Sequence, residues 1–180
     1  MPTQRQSFPD HVVAFHEAGH AVVGWRVGLW PRSITIAPSG DAAGHVDHKL
    51  GIAAAELEYR SPHRLMVAVT KNIMVSLAGE IAQRRYDPRS VRRYQGRSDR
   101  LNAVGLAAAI GADGKEATAL LHWLAIRTEK VVAGNWRFIE LVAQALVIER
   151  TISRARFREL AQIYCDAPPP APDAARAMQT

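Results

Sequence analysis

Five residues near the start of the chain, His16-Glu17-Ala18-Gly19-His20, combine two imidazoles and a carboxylate at a spacing that can hold a metal ion and move a proton. On a helix, residues i and i+4 project from one face, so His16 and His20 can both reach one cation. Neutral imidazole nitrogens bind Zn2+ at about 2.0–2.1 Å and leave positions for a third ligand and a water. Glu17 is turned too far round to ligate easily, but it is placed to take a proton from that water. Gly19 removes a side chain beside the site, where substrate backbone or another element can approach closely. Copper and nickel accept imidazoles too; the adjacent glutamate and a mixed N/O ligand shell favour zinc. The competing reading, two histidines meeting by chance, applies to roughly one chain in a hundred at this length and composition. The match also falls on a strongly signalled helix, which chance does not require. Three protein ligands are expected at a catalytic zinc. His11, His45, His48 and His63 qualify by type, as do the later carboxylates Glu80 and Asp99, and spacing alone does not choose among them.

The elements that must position these residues follow from periodicity and punctuation. A first helix is predicted from about Asp10 to Gly28, capped by Ser7 or Asp10, with Pro9 at an N-terminal position and Gly28 as its stop. Its Val12, Val13, Val22 and Val23 form an apolar stripe. Arg32 to Ala37 alternates around Ile34 and Ile36 and reads as a strand; Pro38-Ser39-Gly40-Asp41 is turn chemistry; Ala43 to His48 returns as a second strand. Ser61-Pro62 opens a helix carrying Met66, Val69, Ile73, Leu77 and Ile81, which ends at Asp87-Pro88. Further helices are expected from Ser98 to about Ile110, Glu116 to Val132, Asn135 to Glu149, and from a Ser153 cap to near Tyr164. The fold class expected is mainly α, about six helices with a small two-stranded β-ribbon. Residues 1–165 form the domain, and a Pro- and Ala-rich tail, 166–180, is expected to be disordered.

Length and composition agree with that picture. The 180 residues, 48% hydrophobic and 22% charged, suit one globular domain. No unbroken apolar run reaches the ~18 residues of a membrane span, and Met1 to Ser7 lack a secretion signal. Cys165 is the only cysteine, so the chain holds no internal disulfide, and a cytoplasmic setting is expected. The net charge of +6 is concentrated in Arg84, Arg85, Arg89, Arg92, Arg93, Arg97 and Arg100. This cluster is either a solvated loop or a docking point for an acidic partner. With only Tyr86 and Tyr94 nearby as stacking groups, it is a poor nucleic-acid surface. The four tryptophans, Trp25, Trp30, Trp123 and Trp136, read as packing residues.

Beyond these physical signals, Phe15-His16-Glu17-Ala18-Gly19-His20-Ala21-Val22 resembles the zinc-site helix of the FtsH-type AAA metalloproteases. The resemblance continues in Ile34-Thr35-Ile36-Ala37-Pro38-Ser39-Gly40 with Ala43-Gly44, in Leu77-Ala78-Gly79-Glu80-Ile81-Ala82, in Gly96 to Ala107 and in Glu129 to Leu160, covering about residues 10–160. It implies a helical array with a β-ribbon and a zinc peptidase site. In that site His16 and His20 are ligands, Glu17 is the base and Asp99 the third ligand, with Glu80 as the alternative. The substrate is polypeptide, and residues Ala43, Gly44, His45 and Val46 at the ribbon edge are expected to receive an extended peptide, unless the ribbon is only a structural hairpin. The chain departs from the family pattern at Gln83, which stands where the family has a glutamate. It has no ATP-binding loop, since Gly111-Ala112-Asp113-Gly114-Lys115-Glu116 does not fit the phosphate-loop pattern. The reading is therefore ATP-independent proteolysis of flexible or unfolded chains, by a monomer or a homo-oligomer. A metal-binding but catalytically weak interaction module and a narrow regulatory protease are the alternatives.

Overall fold

A computed structural model of the chain describes residues 9–38, 44–48, 62–91 and 97–167. Among these residues the fold is mainly helical, with six helices and a small three-stranded antiparallel sheet. In chain order the elements are α1 (Asp10–Arg26), β1 (Pro31–Thr35), β2 (His45–His48), α2 (Pro62–Tyr86), α3 (Arg97–Ala109), α4 (Gly114–Gly134), α5 (Trp136–Glu149), β3 (Thr151–Ser153) and α6 (Arg154–Asp166).

Helix α1 runs through the middle of the molecule, against α2 on one side and α5 on another. Its four valines are buried as expected, but so are Ala14, Phe15, Ala18 and Ala21. A helix buried on most of its faces has no polar side for a clean amphipathic pattern to show. The neighbouring helices approach closely because their facing residues are small. A Cβ at Gly19 would lie 2.6 Å from Ala82 Cβ and 2.8 Å from the Ala78 carbonyl oxygen. The space that Gly19 leaves beside the site is thus taken by α2. The helix ends as the sequence suggests, with Gly28 at φ 86° and the Leu29 N–H bonded to the Gly24 carbonyl at 2.7 Å. Its start differs: Pro9 is the N-cap with no side-chain cap, and Asp10 lies inside the helix, 2.6 Å from Arg150 Nη1. Ser7 and Ser61 lie outside the described residues.

The expected two-stranded ribbon is part of a three-stranded sheet, ordered β2-β1-β3. Ile34 pairs with Val46 on one side and Ile152 on the other. Strand β3 has only three residues between two helices, and Arg150 in the left-handed conformation (φ 59°) turns the chain from α5 into it. Ile34 and Ile152 join Val22, Val23, Phe138, Leu146 and Phe157 in the main core. A second cluster, Val69, Ile73, Ala103, Ala107 and Leu124, joins α2, α3 and α4. Helix α4 begins earlier than Glu116, because Asp113 and Glu116 form a reciprocal capping box.

By length and composition α2 could cross a bilayer, which a search for unbroken apolar runs misses; half of its most apolar window is buried inside this fold. Three tryptophans pack as expected at the edge of the core, whereas Trp123 is exposed. The tail from residue 168 onward lies outside the described residues.

Candidate metal centre

The centre lies where α1 crosses α2 and the first turn of α3 meets both. Among the described residues, His16, His20 and Asp99 form a group close enough to bind one metal ion. The two Nε2 atoms are 3.0 Å apart, and Asp99 Oδ2 lies 3.3 Å from that of His16 and 3.4 Å from that of His20.

The far side of each ring explains why these atoms face one another. His20 Nδ1 donates to the Val75 carbonyl oxygen at 2.7 Å, an acceptor with no proton to offer. His16 Nδ1 donates to Gln83 Oε1 at 3.0 Å. The buried Gln83 amide is oriented by its other end, where Nε2 donates to the Ser90 carbonyl oxygen at 3.3 Å and to Ser90 Oγ at 3.2 Å. Both Nδ1 atoms therefore carry hydrogen, and both Nε2 atoms of the neutral rings present lone pairs. With the rings neutral, two lone pairs and a carboxylate oxygen converge, an arrangement that a bound metal ion or a shared proton relieves. The spacing suits a tetrahedral ion. Ligands at about 2.0–2.1 Å from a common centre stand about 3.3–3.4 Å apart, close to the triangle observed. The donor set, two imidazoles and one carboxylate with their outer atoms hydrogen-bonded, fits a divalent metal.

The charges respond accordingly in the metal-free protein. Burial alone would hold the His20 imidazolium down, but the Asp99 carboxylate beside it pushes its pKa up to about 9, with smaller help from Glu17 and the Val75 carbonyl. Burial would raise the Asp99 carboxyl; hydrogen bonds from the two imidazoles outweigh it and hold the group well below the usual carboxylate range. A proton occupies the role of the cation. Glu17 is buried next to this triangle, and desolvation raises its carboxyl above the usual range despite the opposing pull of His20 and His16.

Glycines make room for the site. A Cβ at Gly79, on α2 directly beneath the rings, would collide with His20 Nε2 and lie 2.6 Å from His16 Nε2. A Cβ at Gly44 would lie 2.9 Å from Glu17 Oε1 and 2.8 Å from the Thr35 carbonyl oxygen, so the chain enters β2 directly over the carboxylate. His45 is exposed, and its charge is felt at Glu17. The Val46 side chain packs against the core and leaves only its backbone for a peptide. Ala43 lies outside the described residues. Strand β2 is an edge of the sheet, with β1 as its one neighbour among the described strands.

Of the candidate ligands, Glu80 is not brought to the triangle. Its carboxylate is held by Arg84 and Arg100, with Arg100 Nε at 2.8 Å from Oε2. His11 is exposed with its ring edge-on to Tyr86, and His63 and His122 are exposed as well. His48 pairs with Pro31 through the backbone of β2. The arginine cluster is partly spent on internal contacts, since Arg84 and Arg100 share Glu80 and Arg85 lies over the Trp136 ring at 4.9 Å. Arg92 and Arg93 fall outside the described residues. Beside Asp99 a hollow of about 300 Å3 opens between α2, α3 and α4, with Leu77, Ile81, Val104 and Leu121 among its walls.

Three contacts were not readable as functional from spacing: the Gln83 amide, the Val75 carbonyl and the bare backbone at Gly79. Gln83 stood out only as a missing carboxylate, yet its carbonyl oxygen fixes the His16 tautomer as a carboxylate would. No protein-family model matches the chain, and no curated protein matches it.

Proposed function

We propose that the chain is a zinc metallopeptidase that hydrolyses peptide bonds in flexible or unfolded polypeptides, with His16, His20 and Asp99 as ligands and Glu17 as general base. The observation that carries the reading is the triangle of Nε2, Nε2 and Oδ2 at 3.0–3.4 Å with a buried carboxylate beside it. The resemblance of Phe15–Val22 and its companion segments to the FtsH-type peptidases supports the same ligand set and the same chemistry. A zinc ion, when bound, polarises the scissile carbonyl and acidifies water towards a pKa of ~7.

The chain's own residues account for the rest. Glu17, with its raised proton affinity, takes a proton from the attacking water and passes it to the leaving amine. Burial that raises a carboxyl brings its proton affinity nearer to neutrality, where such a shuttle works best. An extended peptide adding to the edge of β2 would run past Gly44, where an added Cβ would lie 2.9 Å from Glu17 Oε1. The hollow beside Asp99 is large enough for an apolar substrate side chain. The weak-module alternative rested on Gln83 in place of a carboxylate and on the missing ATP-binding loop; the Gln83 contact to His16 weakens the first of these and leaves the second.

Purified protein loaded with one equivalent of zinc should cleave unfolded casein, and Glu17→Gln should keep the zinc and lose the cleavage. Intact casein with zinc bound, at every pH tried, would reject the peptidase reading. Cleavage confined to a single cellular protein would replace general proteolysis with a regulatory role.

A further inference from the structure

Glu80 has the right chemistry for a ligand and the wrong position, yet it is bound to the residue that follows the ligand. Asp99 is the third residue of α3, in a first turn whose N–H groups have no partners within the helix. Such turns fray, and a carboxylate on one is poorly placed to hold a 3.3–3.4 Å fit to two imidazoles. Two side chains on α2, one helical turn apart, tie down the first two turns of α3. Ser76 Oγ accepts from Asn102 Nδ2 at 3.0 Å, and Glu80 Oε2 accepts from both Nε and Nη2 of Arg100. Glu80 Oε1 accepts from Arg84, so both oxygens of a side chain only 13% exposed are engaged by guanidinium groups. Arg100 is itself half-exposed, and among the described residues its guanidinium bonds to Glu80 alone.

We propose that Glu80 is a positioning residue, which grips Arg100 and so holds the first turn of α3 where Asp99 meets His16 and His20. The inference rests on the metal reading for its consequence, not for the grip itself. Arg84 and Arg100 are about half-exposed and can turn to water once Glu80 is neutralised, so loss of the pairing should cost the fold little. Its effect on Asp99 is larger because a ligand displaced by a few tenths of an ångström no longer closes the triangle.

The test uses Glu80→Gln, Arg100→Gln and the double variant of the full chain, with two readouts. In the metal-free protein, hydrogen exchange at the amides of 101–103 should accelerate at least roughly tenfold in Glu80→Gln relative to those of 106–107. In zinc titrations each single variant should weaken binding roughly 10- to 100-fold, and the double variant no further than the worse single one. Unchanged exchange at 101–103 overturns the proposal whether or not zinc binds, and so do additive losses in affinity. Accelerated exchange in a protein that never binds zinc upholds the grip and defeats the metal reading alone.

Discussion

Replacing Gly79 by alanine separates the metal site from the fold that carries it. The new methyl would collide with His20 Nε2 and stand 2.6 Å from His16 Nε2 and 2.7 Å from His20 Cε1. Ordinary carbon contacts begin at about 3.4 Å, so both rings must withdraw by roughly 0.7–0.8 Å or more. The atoms struck are the tips of side chains, which can swing away without moving a helix. The fold therefore suffers little: overpacking costs about 1–3 kcal/mol, and alanine in a helix interior recovers about 1 kcal/mol relative to glycine. The site suffers more. Metal–ligand distances hold to about 0.2 Å, so a shift of this size removes both imidazoles from a common ion and should weaken zinc binding by at least ~100-fold. Chelator competition gives the affinity, and thermal unfolding of the metal-free protein followed by circular dichroism gives the stability. An alanine variant that binds zinc as tightly as the wild type would refute the placement of Gly79 under the rings, and with it the geometry of the centre.

The neighbouring glycine should behave oppositely. Gly19→Ala drives a methyl into Ala82 Cβ and the Ala78 backbone, so it should cost about 2–3 kcal/mol in urea unfolding through the α1–α2 contact; an unchanged midpoint would contradict that packing. Glu17→Gln should retain zinc and lower turnover by about 10²–10⁴-fold, and full activity would exclude it as the base. At pH 7 the metal-free protein holds a proton on His20, whose pKa is about 9, so zinc uptake should release at least one proton; calorimetry in buffers of different ionisation enthalpy measures it, and no release would be a contradiction. The same shift fixes a sign for stability. The His20 contribution is fully present below about 6.5 and is lost as pH rises through about 9, so the metal-free melting temperature should fall across that window. Val104→Trp, at the exposed wall of the hollow beside Asp99, should reduce cleavage of peptides with large apolar side chains roughly tenfold more than of alanine peptides; equal losses would remove the hollow from substrate recognition.

Several helices were legible from local punctuation: Gly28 as a stop, Pro62 as a first residue, Ser153 as a cap whose hydroxyl accepts from the Arg156 N–H at 3.2 Å. Ser98, expected as a cap, lies inside α3 instead. Strand β3 was not, since three residues carry no periodicity and its reason to be extended is Ile34, over a hundred positions away. The helical pair His16 and His20 was readable from a local rule, that residues four apart share a face. Asp99 and Glu80 were indistinguishable by type and spacing; what separates them is the crossing of α3 over α2, which points one inward and pairs the other with arginines. Gln83 and Val75 act through distances fixed by the α1–α2 approach, and that approach depends on Gly19, Ala78 and Ala82 being small at once.

Anomalous diffraction at the zinc edge, from crystals of the zinc-loaded protein, tests the central claim most directly. The account requires one peak about 2.0–2.1 Å from each of His16 Nε2, His20 Nε2 and an Asp99 carboxylate oxygen. Density elsewhere, or none with the imidazoles turned apart, would contradict it.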